Sequence, residues 1–274
     1  MTVLTPARAA GLRAGGVRAL YAGNPRSVVQ RGLIAARSSS WAVVLSGFFE
    51  PVLYLASMGI GLGSLVGRIH TDAGDISYAA YIAPALLAVS AMNGAIYDST
   101  WNVFFKLRHA KLYEGMLATS LGPLDVALGE ILYAMLRGLV YAAGFMVIME
   151  IFGLNLAWTA ILALPAVLVI AFGFASLGMA VTSYMKVFQQ MDLINFVLLP
   201  MFLFSATFYP ITVYPGWVQW IVMSFPLWHG VELVRGLTTG LLDWTMLVHL
   251  GYYVLMIAIG LVFTTRRLRA LFLD

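Results

Sequence analysis

The sequence predicts an all-α integral membrane protein with six transmembrane helices, an N-terminal amphipathic helix at the membrane interface and an outer re-entrant helical segment. Two observations carry this prediction. Of the 274 residues, 61% are hydrophobic and only 10% are charged, and the mean hydropathy is +0.90, far from the values of soluble domains. The apolar residues are also gathered into segments of about 20 or more, the length that a helix needs to cross the hydrocarbon core.

Six such segments lie within residues 41–264, which are predicted to form one transmembrane domain. A spanning segment must satisfy its own backbone amides, so each segment is expected to be helical. The predicted spans are residues 41–65, 77–100, 124–152, 156–181, 191–209 and 242–263.

The first 40 residues are predicted to form a cytoplasmic tail and an interface helix. Residues 1–23 are rich in Ala, Gly and Arg and lack helical periodicity, which is typical of a mobile tail. Asn24 and Pro25 then supply an N-cap residue and a first-turn proline. Residues 26–37 are weakly amphipathic, which favours a helix lying on the membrane surface. The alternative is that this helix extends the first span.

Basic residues are divided unevenly between the two predicted sides of the membrane. Thirteen of the sixteen fall on the side of the two termini, Arg68 and Arg235 fall on the other, and Arg137 lies within a span. The positive-inside rule then places both termini, including residues 265–274, in the cytoplasm, which agrees with an even number of spans. The net charge of +4 therefore bears on orientation, and nucleic acid is not expected as a partner.

Two segments between the spans stand out. Residues 102–123 form a charged loop that ends in the Gly122-Pro123 break. A short charged helix in this loop connects two spans, so another protein that binds it can move both of them. Residues 210–241 are apolar, aromatic and interrupted by proline and glycine. They are too short to cross and return, so they are predicted to dip into the outer leaflet as half-helices. The alternative for this second segment is an interfacial aromatic belt without a gating role.

Several kinds of chemistry are not supported by the sequence. There are no cysteines, which excludes disulfides, zinc-thiolate sites and thiol nucleophiles. No glycine-rich loop ends in Gly-Lys-Ser/Thr, no His-Glu-x-x-His pair occurs, and the four histidines are scattered. No serine stands in a recognisable nucleophile setting. We therefore expect no catalytic residue, no metal site and no cofactor bound by this chain.

Ionisable residues within apolar segments are functional candidates because a charge in the membrane is costly. Glu50 and Arg137 lie deep in their spans and are interpreted as functional. The other four are interpreted as lying near span ends and reaching headgroup water: Asp98, Glu130, Glu150 and Asp192.

The order of parts resembles the permease subunit of a type-2 ABC exporter. The stretch Tyr-Glu-Gly-Met-Leu-Ala-Thr-Ser at residues 113–120, followed by Asp125 and Gly129-Glu130, resembles the family's second loop. Phe-Tyr-Pro at 208–210 and Phe-Pro-Leu-Trp-His at 225–229, with Glu232 and Arg235, resemble its outer re-entrant region. The likeness is greatest to permeases of nodulation-factor lipo-chitooligosaccharide exporters and of daunorubicin-type drug pumps. Ser120-Leu121 departs from the usual pattern, in which proline often follows the threonine, and this leaves the start of the next helix open.

The resemblance implies a bacterial plasma-membrane complex in which two permeases, expected to be identical, pair with two separate ATPase subunits that bind ATP and Mg. The cargo would be an amphiphile: a glycolipid, lipo-oligosaccharide, polysaccharide or lipophilic drug. The path would run between the two copies, in contact with membrane lipid.

Three groups of residues are the candidates for these tasks. The candidates for ATPase coupling are Lys106, Arg108, Tyr113, Glu114, Met116 and Leu117. The candidates for the substrate path are Glu50, Tyr54, Asn93, Tyr97, Arg137 and Phe204. The candidates for an outer gate are Phe208, Tyr209, Trp228, His229 and Glu232.

Two other classes of function remain open at this stage. An integral membrane enzyme acting on lipid-linked sugars would need paired carboxylates or metal ligands, and Asp72 and Asp75 are the only close pair on the outer side. An ion-coupled secondary transporter would show a ladder of intramembrane charges or an inverted repeat, neither of which is evident.

Overall fold

The computed structural model describes residues 21–36, 41–71 and 74–272; for residues 41–48 it describes the backbone only. The predicted mobile tail falls almost wholly on residues 1–20, outside the described part. The predicted interface helix is α1 (Pro25–Ala36), which begins at the expected proline.

Ten α-helices of six or more residues follow one another in the described residues, together with one short hairpin. After α1 come α2 (Trp41–Ala56), β1 (Arg68–Thr71), β2 (Gly74–Ser77), α3 (Tyr78–Tyr97), α4 (Leu112–Leu117) and α5 (Pro123–Ile151). The second half contains α6 (Ala163–Tyr184), α7 (Met191–Phe204), α8 (Gly216–Met223), α9 (Pro226–Thr239) and α10 (Thr245–Phe272).

Within the part of the chain that the structure describes, five helices are long and apolar enough to cross a membrane, which confirms the predicted all-helical membrane class. They are Phe49–Val66, Tyr78–His109, Pro123–Ile151, Trp158–Tyr184 and Thr245–Phe272. The predicted fifth span is the shorter apolar helix Phe188–Phe204. Its regular part, α7, has 14 residues and is roughly 21 Å long, less than the roughly 30 Å of a hydrocarbon core.

The helices differ from the predicted spans mainly at their ends. α2 continues through a π-helical segment (Ser57–Leu62) and a final turn (Gly63–Val66). α3 continues through two π-helical segments, Asp98–Asn102 and Phe105–His109. α5 begins at Pro123, which settles the helix start that Ser120-Leu121 left open. α10 runs on to Phe272, so residues 265–272 continue the last helix.

The centre of the bundle is the apolar helix that contains α3: in an 18-residue apolar stretch of it 83% of the residues are buried, against 11% for Phe49–Val66. It packs between α5 and α6, and α10 covers the far side of α6. The first apolar helix and α7 lie at the edge of this body and carry exposed apolar side chains such as Ile60 and Phe196.

A short antiparallel hairpin, absent from the prediction, joins the first and second apolar helices. Arg68 pairs with Ser77 and Thr71 with Gly74. Ser77 also caps α3, because its hydroxyl accepts the N–H of Ala80 at 3.2 Å. Four-residue strands give too few alternating positions to be distinguished from a loop in the sequence.

Candidate functional site

The charged loop folds into a compact unit at one end of the bundle, formed by the helical turn Phe105–His109, Lys111 and α4. Lys111 adopts a left-handed conformation with φ of 48°, which turns the chain sharply between the two helical pieces. Phe105 is 56% exposed, and His109, Lys111 and Glu114 are exposed beside it. This exposed face is called the loop face below.

Three of the six predicted coupling residues point away from the loop face. Tyr113 is fully buried, and Met116 and Leu117 are 8% and 5% exposed, all within the protein's own core. Their side chains therefore pack within the chain itself, and a part of these residues in ATPase coupling stays a prediction. They anchor α4 on the bundle because the helix has only two turns and must bury its apolar side to be stable. Burial raises the pKa of the Tyr113 phenol well above 10, with Glu130 adding to the rise, so this group stays neutral.

Glu130 joins three separate elements beneath the loop. Its carboxylate is 3% exposed and accepts a hydrogen bond from Lys106 Nζ at 2.5 Å. Arg31 on α1 lies 3.6 Å from the other carboxylate oxygen. The interpretation that Glu130 reaches headgroup water is wrong, because α1 and the loop cover this end of α5. A buried ion pair of this kind is costly to break, since the remaining charge loses its partner.

Arg108, another coupling candidate, acts within the chain. Its Nε and Nη2 donate to the backbone oxygen of Met185 at 3.0 and 2.7 Å. Met185 follows the last residue of α6, so Arg108 ties the loop to the end of another spanning helix. Movement of the loop must therefore act on α6 as well as on α3 and α5.

Asp125 fastens the start of the interface helix to α5. Its fully buried carboxylate accepts the backbone N–H groups of Ala22 at 2.6 Å, Asn24 at 2.9 Å and Gly122 at 2.9 Å. Sequence reasoning gave Asp125 no role. An acidic residue in the first turn, three positions after the residue that precedes the helix, is the signal that would have indicated a cap.

A cavity of about 630 Å³ lies between the first apolar helix, α3 and α7. Three of the predicted path residues line it: Glu50, Asn93 and Tyr97. Asn195 on α7, which sequence reasoning missed, adds a second amide, and Met92 and Phe202 supply apolar wall. This cavity is called the central cavity. One carboxylate and two amides within an apolar wall suit a molecule with both hydroxyl groups and hydrocarbon.

The other three predicted path residues do not line the central cavity. Arg137 is behind the cavity, where its Nη1 donates to Asp98 at 3.0 Å and its Nε to the Tyr141 hydroxyl at 3.0 Å. Tyr54 packs edge-on against Phe202 with ring centroids 5.2 Å apart. Phe204 is 43% exposed near the end of α7.

Asp98 is also buried, with 2% exposure, so its interpretation as a headgroup-facing residue is wrong. The helix that contains it continues as far as His109, which places Asp98 in its interior. Asn102 donates to the same carboxylate oxygen as Arg137. Glu150 and Asp192 are exposed, as predicted.

The residues predicted to form an outer gate take part in separate contacts and do not form one cluster. Phe208 packs on Phe202 at 5.2 Å, and the Tyr214 hydroxyl donates to that of Tyr209 at 3.0 Å. On α9, Trp228 and His229 pack against α10.

His229 and His249 form a buried pair with Nδ1 atoms 2.8 Å apart. Burial and, next to it, the nearby His249 together lower the pKa of His229 to about 4, so His229 is neutral at pH 7.

Glu232, the remaining gate candidate, forms an ion pair with Arg235, which also contacts α3 and the chain just after α7. Arg235 Nη1 lies 2.5 Å from Glu232, and its Nη2 donates to the backbone oxygen of Ala206 at 2.8 Å. Its guanidinium also lies over the ring of Tyr81, 4.2 Å from the centroid. Ala206 has a positive φ of 55°, so this contact holds the chain just after α7 in an uncommon conformation.

Comparison with known proteins agrees with this architecture. A family model described as "ABC-2 type transporter" matches residues 26–238. A Nodulation protein J of Rhizobium leguminosarum bv. viciae is 30% identical over 258 residues, covering 93% of this chain and 98% of the relative. Nodulation protein J of Rhizobium meliloti (strain 1021) is 28% identical over 230 residues, 83% of this chain and 84% of the relative.

Permeases of this family are transport subunits without an ATPase domain, and they pair with separate ABC ATPase subunits. The match covers most of the chain and includes the loop, the central cavity and nearly all of the outer segment. The chain therefore belongs to the ABC-2 type transporter family, as a multi-pass membrane permease.

Proposed function

We propose that this chain is the transmembrane subunit of an ATP-driven exporter that moves an amphiphilic molecule across the bacterial plasma membrane. The observation that carries the proposal is the central cavity of about 630 Å³, which combines Glu50, Asn93 and Asn195 with apolar wall at membrane depth. Its polar groups suit a sugar or other hydroxyl-bearing head, and its wall suits a lipid chain. A glycolipid, a lipo-oligosaccharide, a polysaccharide or a lipophilic drug belongs to this range, and the similarity to Nodulation protein J favours the first two.

The loop face is the proposed docking site for the ATPase. It offers one aromatic anchor, Phe105, beside Lys111 and Glu114, a combination typical of protein interfaces. Force applied there would reach α5 through Lys106 and Glu130 and α6 through Arg108. In this proposal Lys106 and Arg108 transmit the movement, and Tyr113, Met116 and Leu117 hold α4 on the bundle.

The working complex would contain two copies of this chain and two ATPase subunits, with both termini in the cytoplasm. In that arrangement α7 completes a sixth span, and residues 210–241 form the re-entrant outer cap. The exposed apolar faces of α7 and the first apolar helix support pairing along these helices. The cargo path would then run between the copies, past the two central cavities.

Co-purification from native membranes tests the proposal. The tagged chain is extracted in mild detergent, and the proteins that accompany it are identified and counted. We expect a soluble-type ABC ATPase in equal number. Reversing the charge of the loop face with Glu114→Lys should reduce the ATPase recovered by at least about tenfold, because an interface charge then repels its partner. Arg266→Glu, an exposed charge reversal on α10, is the matched control.

Two results would count against the proposal. Recovery of the chain alone, under conditions that preserve other ABC complexes, would remove the ATPase from the mechanism and return attention to ion coupling. Equal loss of ATPase in both variants would show that a charge reversal outside the loop face is just as disruptive, and would remove the loop face as the docking site.

A further inference from the structure

A second cavity, of about 370 Å³, lies between the interface helix α1, the loop and α5. This second cavity lies apart from the central cavity, and the proposed cargo path does not run through it. Arg31, Lys106 and Arg137 line it together with an apolar wall that includes Leu33, Leu136 and Val140. This cavity is called the lateral cavity.

The charges of the lateral cavity do not cancel. Glu130 is shared by Arg31 and Lys106, and Asp98 pairs with Arg137. Among the described residues, three cations therefore face two carboxylates, which leaves one positive charge. The other polar groups on its wall are Asn102 and the phenols of Tyr133 and Tyr141, which carry no charge at neutral pH.

Arg31 also retains hydrogen-bonding capacity. Its Nε is buried and has no hydrogen-bond partner among the described residues. Its nearest carboxylate oxygen, on Glu130, is 3.6 Å from Nη2, beyond the range of a good hydrogen bond. A guanidinium in this condition is suited to a phosphate, which offers several acceptor oxygens.

The depth of the cavity matches the border between headgroups and acyl chains. Glu130 stands 21 residues before Ile151, the last residue of α5, a rise of about 32 Å and close to the thickness of a hydrocarbon core. The cations Arg31 and Lys106 meet at Glu130, so they lie at the headgroup level. Leu136 and Val140 lie roughly 9 and 15 Å deeper along α5, at the level of acyl chains.

We propose that the lateral cavity binds one anionic phospholipid. Arg31 and Lys106 contact its phosphate, and Leu33, Leu136 and Val140 contact the first part of an acyl chain. Basic pockets between helices at the membrane surface recognise anionic headgroups in this way. A bound lipid joins α1 to α5 and the loop, so its occupancy stabilises the unit that receives the ATPase.

The test measures binding to the purified full chain in neutral detergent. Phosphatidylglycerol, phosphatidylcholine with the same acyl chains and inorganic phosphate are added separately. We expect phosphatidylglycerol to raise the unfolding temperature by about 5 °C at saturation. Native mass spectrometry should show one retained lipid per chain. An equal effect of phosphatidylcholine would overturn the proposal in favour of general solvation by lipid, and an equal effect of inorganic phosphate would make the site one for a free anion.

Paired variants locate the site. Leu33 is 46% exposed, so we expect Leu33→Glu and Leu33→Gln both to fold, and they differ from each other mainly in charge. Leu33→Glu should weaken phosphatidylglycerol binding by about tenfold relative to Leu33→Gln. Arg31→Gln should weaken it similarly, and Arg266→Gln, which removes an exposed cation outside the cavity, should not. Unchanged binding in Leu33→Glu would place the lipid elsewhere.

Discussion

Two buried carboxylates, Asp98 and Glu130, show how this protein tolerates charge at membrane depth. Each is held by a cation from a distant part of the sequence: Arg137 for Asp98, and both Lys106 and Arg31 for Glu130. Taking a charge out of water is expensive, and only good geometry with a partner offsets that cost. These pairs therefore specify which elements meet more than they add to stability.

A third buried carboxylate, Asp125, gives a prediction at this scale. Asp125→Ala leaves the backbone N–H groups of Ala22, Asn24 and Gly122 without their acceptor. We expect the free energy of unfolding to fall by about 3 kcal/mol, measured by chemical unfolding in detergent.

Two variants calibrate that measurement. Asp125→Asn keeps one acceptor oxygen and should lose less. Asp192→Ala removes an exposed carboxylate from the first turn of α7 and should change stability by no more than about 0.5 kcal/mol. Equal stability of Asp125→Ala and the unmodified protein would mean that water replaces the carboxylate.

The sequence indicated which residues deserved attention, but it did not indicate their partners. Glu50, Asn93 and Tyr97 were predicted for the cargo path, and all three line the central cavity. Glu130 and Asp98 were misjudged because their distance from a span end was read along the sequence, whereas their burial depends on α1, the loop and the continuation of α3. The burial of Tyr113 in the protein's own core could not be read from the sequence either, since an aromatic residue on a short helix faces either a partner or its own core.

At the scale of elements, the seating of α1 on α5 depends on a close approach at Gly129. A Cβ at this position would lie 2.4 Å from the Cβ of Val28 and 2.8 Å from the backbone oxygen of Pro25. Neither neighbour is the far end of a flexible side chain. The interface helix therefore lies directly on α5, and any larger residue must push it away.

Gly129→Ala should accordingly destabilise the protein by about 1–3 kcal/mol and loosen α1, because overpacking displaces backbone. Limited trypsin digestion should cut after Arg26 and Arg31 faster in this variant. Gly251→Ala on α10 is the control, since nothing lies within 4 Å of a Cβ there, and it should be neutral or slightly stabilising. Cleavage at the same rate in both variants would contradict the proposed seating.

Helices were predictable where apolar runs are long, as in α5, whose start and end each differ from the prediction by one residue. Helix ends were less predictable where contacts with other parts of the fold determine where the helix stops. α7 stops at Phe204, five residues before the predicted end, where the Ser205 and Thr207 hydroxyls donate to the carbonyls of Met201 and Phe202. The π-helical continuation of α3 likewise leaves no distinct sequence pattern.

At the scale of the whole molecule, α3, α5, α6 and α10 form one tightly joined body. A Cβ at Gly138 would lie 2.8 Å from the carbonyl oxygen of Ala91, and one at Gly260 would lie 2.5 Å from the backbone of Ser176. Small residues at such crossings let helices approach closely. The first apolar helix and α7 lie at the edge of this body and expose apolar side chains.

Pairing of two copies along α7 can be tested by disulfide cross-linking, because the chain has no native cysteines that would form other disulfides. Phe196, on α7, is 78% exposed, and Leu255, on α10, is 61% exposed. We expect Phe196→Cys to form an intermolecular disulfide in oxidised membranes, because a second copy brings the two thiols together. Leu255→Cys should remain monomeric on a non-reducing gel. Cross-linking of both variants, or only of Leu255→Cys, would contradict pairing on α7.

The small-residue crossings have a consequence for how such a protein can change over generations. Substitutions at those crossings disturb the fold, whereas Glu50 and Asn195, which line the central cavity, lie on the two helices outside them. A lineage that meets a new compound can alter these two helices one residue at a time and still inherit an intact scaffold. We expect that random libraries confined to them will yield folded variants far more often than libraries in α3.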